Sequence, residues 1–205
     1  MNKLQIGLTG LVLAAFTVVG VGIVAWMHHA TQAEIAKQTE AALNRQLAAV
    51  LPPGFDNDPA SSARELAHDA FLGGKGEAML YTARQGTKPI GWALRVIAPN
   101  GYSGAIHLLV GVDVQGKIAG VRVIAHKETP GLGDPIEIEK SPWIDSFRGK
   151  SLLAPDNKGW HVKKDGGAFD QFTGATITPR AVVQAVHNAL LYVEQHRDEL
   201  LEAKP

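Results

Sequence analysis

The sequence predicts an α+β fold, a mostly antiparallel sheet flanked by helices, preceded by one N-terminal transmembrane helix. Three patterns predict it: a long uncharged segment near the N-terminus, apolar runs separated by glycine turns, and a helical apolar repeat near the C-terminus. The 205 residues are 45% hydrophobic, which is enough for an anchor and one domain with its own core. We expect a membrane anchor over residues 1–30, a helical stalk over 31–53 and a globular domain over 54–205.

The charge balance and the cysteine content exclude several functions. Lys+Arg and Asp+Glu both number 20, so there is no basic excess and we expect no nucleic-acid partner. The chain has no cysteine, which excludes disulfides, thiolate-held iron–sulfur clusters and attached c-type haem. A redox protein of this composition needs an organic cofactor, or a metal held by other side chains. We expect no metal site, because His28 and His29 have no further histidine at ligand spacing.

The N-terminal segment, residues 4–27, carries no charge and is long enough to span a hydrocarbon core of about 30 Å. The alternative is a cleaved signal peptide, but its apolar core is normally about 7 to 15 residues long. The residues around the end of this segment, Trp26 to His29, also make a poor cleavage site. Lys3 precedes the span, so the positive-inside rule favours a cytoplasmic N-terminus and an exported domain.

The elements of the rest of the chain follow from periodicity and turn residues. We expect a helix over 33–51, ended by two prolines and a glycine, and a short helical piece around 63–71. The expected strands are residues 78–84, 90–98, 105–114 and 118–126. The last two form a β-hairpin, because only Gln115-Gly116-Lys117 separates them.

Two Ser/Thr-Pro pairs predict helix starts in the C-terminal third. Ser141-Pro142 caps a short helix through Phe147, and Thr178-Pro179 places Thr178 at the N-cap of a longer one. Between them, residues 160–164 read as a strand that ends in the turn Asp165-Gly166-Gly167. The last helix has one apolar stripe, formed by Val182, Val183, Val186, Ala189, Leu190 and Val193.

Two loops offer chemistry. Thr176 lies just before a helix N-terminus, where free N–H groups and the macrodipole favour a phosphate, so its hydroxyl could contact a phosphate or be esterified to one. The other loop, residues 128–133, has a proline and two glycines that let backbone approach a flat ligand. On spacing alone, residues 173–178 are equally explained as a turn that caps the last helix, and a Pro/Gly segment such as 128–133 is more often a loop without a ligand. We find no general acid/base pair and no nucleophile triad, so we expect no catalytic residues and no complete active site in this chain alone.

Both loops resemble signatures of FMN-binding domains. Asp170-x-x-Thr173-Gly174-Ala175-Thr176 is similar to the signature in which a flavin transferase joins FMN, through its phosphate, to the last threonine. Glu128 to Gly133 is similar to the signature that lines the isoalloxazine ring. The resemblance implies a phosphoester at Thr176 and recognition of Asp170 by the transferase. It makes the following residues candidates for cofactor binding: Thr173, Gly174, Ala175, Glu128, Thr129, Gly131, Leu132, Gly133, Tyr102 and Ser103.

Further segments, 101–111, 120–123, 165–167 and 169–179, resemble the RnfG family, the G subunits of the Rnf electron transport complex. With the anchor, this resemblance covers nearly the whole chain. It implies a flavoprotein of the bacterial inner membrane, with its FMN-binding domain on the periplasmic side, that relays electrons in an ion-translocating complex between ferredoxin and NAD. The implied partners are the other Rnf subunits, a flavin transferase and the membrane. The alternatives are the FMN-bearing C subunit of the sodium-translocating NADH:quinone reductase and a cofactor-free anchored adaptor.

Overall fold

The computed structural model describes residues 3–66, 69–73 and 78–202. Its five strands form one sheet in the order β1-β2-β3-β4-β5, and every neighbouring pair is antiparallel. This confirms the predicted fold class. The helices and strands are α1 (Lys3–Val50), β1 (Arg64–Glu65), β2 (Met79–Gln85), β3 (Lys88–Ala98), β4 (Ile106–Asp113), β5 (Ile118–Ala125), α2 (Ile177–Gln195) and α3 (Arg197–Glu202).

The chain divides into two compact units, Met1–Ala42 and Leu43–Pro205. One continuous helix, α1, includes residues 3–30 of the predicted anchor and residues 33–50 of the predicted helix over 33–51; residues 1–2 lie outside the described part. Among the described residues, this one helix is long and apolar enough to cross a membrane. Its described large apolar side chains in the first unit are exposed, including Leu11, Phe16 and Val24. The division into anchor, stalk and domain at residues 30 and 53 stays a prediction.

The second unit is built around two β-hairpins, β2–β3 and the predicted β4–β5. β2 and β3 are joined at Gly86-Thr87, and β4 and β5 at the turn before Ile118. In that turn the Asp113 carboxylate accepts hydrogen bonds from the amides of Gln115 (2.9 Å) and Lys117 (2.8 Å). One sheet face packs against α2 in the main core, whose buried members include Trp92, Leu94, Leu108, Val110, Val182, Val186 and Leu190.

The other sheet face is covered by the last turns of α1. Leu47 and Val50 are buried against residues of β2, β3 and β4, in a second apolar cluster. The close approach depends on Gly111 and Gly120, which pair across β4 and β5. A Cβ at Gly111 would lie 1.9 Å from the Val50 carbonyl oxygen, and one at Gly120 would lie 2.8 Å from that of Ala49. Backbone therefore contacts backbone at this pair of glycines.

Two predicted elements differ from the structure. Only the end of the helical piece predicted around 63–71 is helical, as a 3-10 helix over Ala70–Leu72. Arg64 and Glu65 instead form β1 and pair with Leu80 and Met79; residues 67–68 lie outside the described part. Pairing with β2 supplies hydrogen bonds that a single helical turn lacks.

In place of a strand over 160–164, the chain forms 3-10 turns on either side of a single bridge between Val162 and Phe169. The alternation of apolar residues in this segment reflects burial in an aromatic cluster, in which the ring centroids of Trp160 and Phe169 lie 5.2 Å apart. The helix predicted after Ser141 is confirmed as a 3-10 helix, Pro142–Phe147, with the Ser141 hydroxyl accepting from the Trp143 amide.

Candidate cofactor site

A cavity of about 340 Å³ lies where three segments meet: the loop after β3, the loop after β5 and the start of α2. Its volume falls in the range of small-molecule sites, about 300 to 1,000 Å³. The cavity brings together eight of the predicted site residues. Its lining is Tyr102, Glu128, Thr129, Leu132, Gly133, Gly174, Ala175 and Thr176, together with Ile177 and Thr178, which the sequence analysis did not select. Thr173, Gly131, Ser103 and Asp170 do not line it.

The attachment segment, residues 170–176, ends in a tight turn. The Ala175 amide donates to the Phe172 carbonyl (3.2 Å), and Gly174 at the third turn position has φ +81°. A type II turn requires this positive φ, which explains a glycine here. Thr176 follows in a helical conformation and is the N-cap of α2, with no capping hydrogen bond from its side chain. The prediction that Thr178 caps the helix is therefore wrong, because α2 begins earlier, at Ile177.

The three threonines of this region have different surroundings. Thr173 is exposed on the turn and does not line the cavity. Thr176 is half-buried at the cavity wall, and its hydroxyl makes no hydrogen bond to any other described residue. Thr178 is 1% exposed, and its hydroxyl donates to the Glu128 carboxylate. Of the two threonines that line the cavity, Thr176 is thus the one whose hydroxyl has no partner in the described part of the chain.

The Glu128 carboxylate is buried and has a partner at each oxygen. Oε1 accepts from the Ser103 amide (2.9 Å), and Oε2 accepts from the Thr178 hydroxyl. The amide of the same residue donates to His126 Nδ1 (3.0 Å). Ser103, predicted to touch flavin, thus contributes its backbone to holding this carboxylate. Thr178 was missed because its partner lies 50 residues away, beyond the reach of local capping rules.

Hydrogen bonds and ion pairs hold the ring-side loop, residues 126–134. Lys140 bonds to Asp134 (2.8 Å) and Glu137 (2.9 Å), and His126 Nε2 lies 2.8 Å from Glu137. Asp134 also accepts from the Gly131 amide at 2.7 Å. The Lys140 ammonium lowers the pKa of both carboxyl groups, and they raise the pKa of Lys140. Gly131 therefore belongs to the support of this loop rather than to the cavity lining.

The mouth of the cavity is apolar. Tyr102 is 68% exposed, and Leu132 and Ile177 are each 46% exposed. Apolar side chains gathered around a cavity with a few polar groups are typical of sites for flat organic ligands. An isoalloxazine ring fits this chemistry, and the nearby start of α2 suits a phosphate. The residues present therefore fit FMN.

The comparisons with known proteins agree with this geometry. The chain matches the family model of the FMN-binding domain over residues 101–191 and that of the RnfG N-terminal region over residues 1–50. A relative from Pseudomonas aeruginosa, the G subunit of an ion-translocating oxidoreductase complex, is 53% identical over 192 residues, covering 93% of this chain and 90% of the relative. The chain belongs to the RnfG family. Relatives of the same name from Yersinia pestis (48% identical, 90% and 88% covered) and Vibrio cholerae (44%, 93% and 91%) also match.

Membership of the RnfG family favours the Rnf interpretation over the C subunit of the sodium-translocating reductase. The matched FMN-binding domain includes every residue of the cavity, from Tyr102 to Thr178.

Across residues 3–66, 69–73 and 78–202, no group of three or more His, Cys, Asp or Glu residues is placed to hold a metal ion.

Two ion pairs lie on the surface near the attachment segment. Asp170 is exposed and pairs with Lys163 (2.6 Å), while its carbonyl accepts from the Trp143 indole (2.8 Å). Its carboxylate is therefore presented to solvent beside the cavity rather than inside it. Arg180, one turn into α2, holds Asp165 through two bonds (2.5 and 2.6 Å) and lowers the pKa of that carboxyl group.

Proposed function

We propose that this chain is the FMN-carrying electron-transport subunit of an ion-translocating oxidoreductase complex, with FMN joined through its phosphate to Thr176. The observation that carries the proposal is the position of the Thr176 hydroxyl. It lies at the wall of a cavity suited to a flat ring, inside the FMN-binding domain, and has no partner among the described residues. Bound FMN would supply the redox chemistry, and the protein orients and buries it.

The chain's own residues divide the work of holding the cofactor. The amides at the start of α2 favour the phosphate, because they lack intrahelical acceptors and lie at the positive end of the helix. Residues 128–133 border the ring, with Tyr102 and Leu132 at its exposed edge. The step requires a flavin donor activated as a phosphoanhydride: the Thr176 oxygen bonds to the phosphorus on the flavin side and loses its proton, while the bond from that phosphorus to the bridging oxygen breaks and the second phosphoryl group leaves with that oxygen. A flavin transferase is the expected partner for this step, and exposed Asp170 is its expected recognition point.

A covalent bond suits a domain outside the cytoplasm, because diffusible FMN would be lost to the medium there. α1 is the proposed single membrane anchor, in a bacterial inner membrane, with the domain on the periplasmic side and the other members of the complex around it. The proposed path of electrons lies between ferredoxin and NAD.

The direct test of attachment is the intact mass of the full chain co-expressed with a flavin transferase. We expect an FMN-sized adduct that Thr176→Ala abolishes, and a gel band that fluoresces under ultraviolet light after denaturation. An adduct that persists in Thr176→Ala would place the bond elsewhere. A native chain without any flavin would support the cofactor-free adaptor instead.

The absence of cysteine in the chain allows a clean test of orientation. Leu153 is 91% exposed in the globular unit, so Leu153→Cys offers an accessible thiol. We expect a membrane-impermeant maleimide to label it in cells whose outer membrane alone is permeable. Asn2→Cys, which precedes the apolar segment, is the control and should react only after lysis. The reverse pattern would contradict a periplasmic domain.

A further inference from the structure

We propose that Glu128 and Thr178 are a positioning pair that fixes where α2 begins and thereby leaves Thr176, rather than Thr178, free for modification. The inference rests on the proposed function, in which Thr176 carries FMN. Neither residue needs to touch the cofactor for this role.

The pair joins three segments that are distant in sequence. Glu128 is 4% exposed and Thr178 is 1% exposed, and the Thr178 hydroxyl donates to Glu128 Oε2. The second carboxylate oxygen accepts from the amide of Ser103. A buried carboxylate is stable only when such partners satisfy it, so the loop after β3, the ring-side loop and α2 are held together.

Two glycines leave the space in which the carboxylate lies. A Cβ at Gly101 would stand 2.9 Å from Glu128 Oε1, and a Cβ at Gly133 would stand 2.9 Å from both Oε2 and the Thr178 hydroxyl oxygen. Gly133 has φ −95°, which any residue adopts, so its lack of a side chain is explained by this close packing.

The pair overrides the local preference of the sequence. Thr178-Pro179 favours a helix whose N-cap is Thr178, because a threonine hydroxyl caps well and proline suits the first helical position. In the structure the Thr178 hydroxyl is instead bound to Glu128, and α2 begins at Ile177 with Thr176 as its N-cap. We infer that loss of the pair allows the helix to begin at Pro179, which would move Thr176 out of the helix start and leave Thr178 as a competing hydroxyl.

The pair itself is tested without any flavin, in the full chain carrying Thr176→Ala. We expect a double-mutant cycle of Thr178→Val and Glu128→Leu to show coupling of tenfold or more in the unfolding equilibrium constant, because valine at 178 leaves Glu128 Oε2 buried without its partner, a cost that is absent when residue 128 is leucine. Coupling below twofold would overturn the proposal.

Its effect on positioning is tested with Thr176 present and a flavin transferase supplied. We expect Thr178→Val to slow FMN incorporation at least tenfold. In Glu128→Leu, where the Thr178 hydroxyl is released, we expect part of the adduct to be found away from position 176. Thr178→Ser should restore the rate, since serine keeps the hydroxyl. Val186→Ala, a buried change farther along α2, is the matched control for destabilisation and should load at the native rate.

Equal loading of Thr178→Val and the native chain, or equal slowing in Val186→Ala, would contradict a positioning role. If the native chain acquires no FMN, the proposed function fails, while the double-mutant cycle still decides whether the pair exists. If the native chain is loaded and the cycle shows no coupling, the proposed function stands and only the pair is wrong.

Discussion

The two walls of the cavity are built in opposite ways. The ring-side loop is held by the Lys140 ion pairs, by His126 and by the buried Glu128 carboxylate. The attachment segment is held at its base by Asp170, which pairs with Lys163 and accepts from the Trp143 indole, and by Gln171, whose side chain accepts from the Lys164 amide. The ring centroids of Phe172 and Trp143 lie 5.1 Å apart, and the turn from Phe172 to Ala175 is closed by one hydrogen bond.

This difference matches two different requirements. A surface that binds a flat ring gains affinity when it is rigid before the ligand arrives, because less entropy is lost on binding. If another enzyme modifies Thr176, as proposed, this segment has to be accessible, and its residues Asp170 and Thr173 are exposed. Variants of the attachment segment therefore test how accessibility affects FMN loading, and variants of the ring-side loop test how rigidity affects stability and FMN binding.

The largest effect is expected at Thr176. Thr176→Val should lose all covalent FMN, because valine has the shape of threonine but no hydroxyl, and Thr176→Ser should keep some. Thr173→Val, on the same segment, should keep the native amount, since this side chain lies outside the cavity. Intact mass distinguishes the three variants. Equal flavin in the serine and valine variants would indicate simple noncovalent binding.

The next effect is expected at Asp170. Asp170→Asn should slow loading by about tenfold or more while changing the free energy of unfolding by less than about 0.5 kcal/mol, as is usual for an exposed residue. Lys163→Met is the control, because it removes the ion-pair partner but keeps the carboxylate. Loading kinetics and urea unfolding measure both quantities. If Lys163→Met slows loading as much, the ion pair and not the carboxylate is required.

An intermediate effect is expected in the ring-side loop. Gly133→Ala should destabilise the domain by about 1–3 kcal/mol through overpacking against Glu128 and Thr178, and should weaken noncovalent FMN binding in the Thr176→Ala chain. Gly131→Ala meets no atom within 4 Å but must adopt φ +78°, so its expected cost is about 1 kcal/mol. Unfolding curves and flavin titration test the pair. A larger loss in Gly131→Ala would show that backbone strain outweighs packing here.

The smallest effect is a pH dependence. Lys140 lowers the pKa values of Asp134 and Glu137, so their contribution to stability is present above their ordinary values of 3.8 and 4.5 and is lost as the pH falls through the lowered values. Lys140→Met should raise both pKa values and move the acid-unfolding midpoint to higher pH. Tryptophan fluorescence during acid titration measures it. Lys127→Met, an exposed lysine of the same loop, should leave the midpoint in place, and an unchanged midpoint in Lys140→Met would refute the assignment.

The strands were predictable because their signals are local. β2 and β3, and likewise β4 and β5, are separated by short turns containing Gly86 and Gly116, and each glycine adopts the positive φ that such turns require. The candidate site was predictable in part, since the cavity lies between the two segments that resemble FMN-binding signatures. The resemblance, rather than periodicity, identified them.

The errors in the sequence analysis have non-local causes. The start of α2 was misplaced because Glu128 binds the hydroxyl that capping rules assign to the helix. The strand over 160–164 was wrong because burial of Trp160 and Val162 in an aromatic cluster gives the same alternation as a ladder. Neither contact is encoded within a window of a few residues.

The paired glycines Gly111 and Gly120 determine how closely the end of α1 approaches the sheet. Ordinary contact begins near 3.4 Å, and a methyl group at position 111 would lie 1.9 Å from the Val50 oxygen, so the end of α1 would have to move away from the sheet to admit it. Alanine at position 111 or 120 would therefore increase the distance between the helix end and the strands without altering any side chain that lines the cavity.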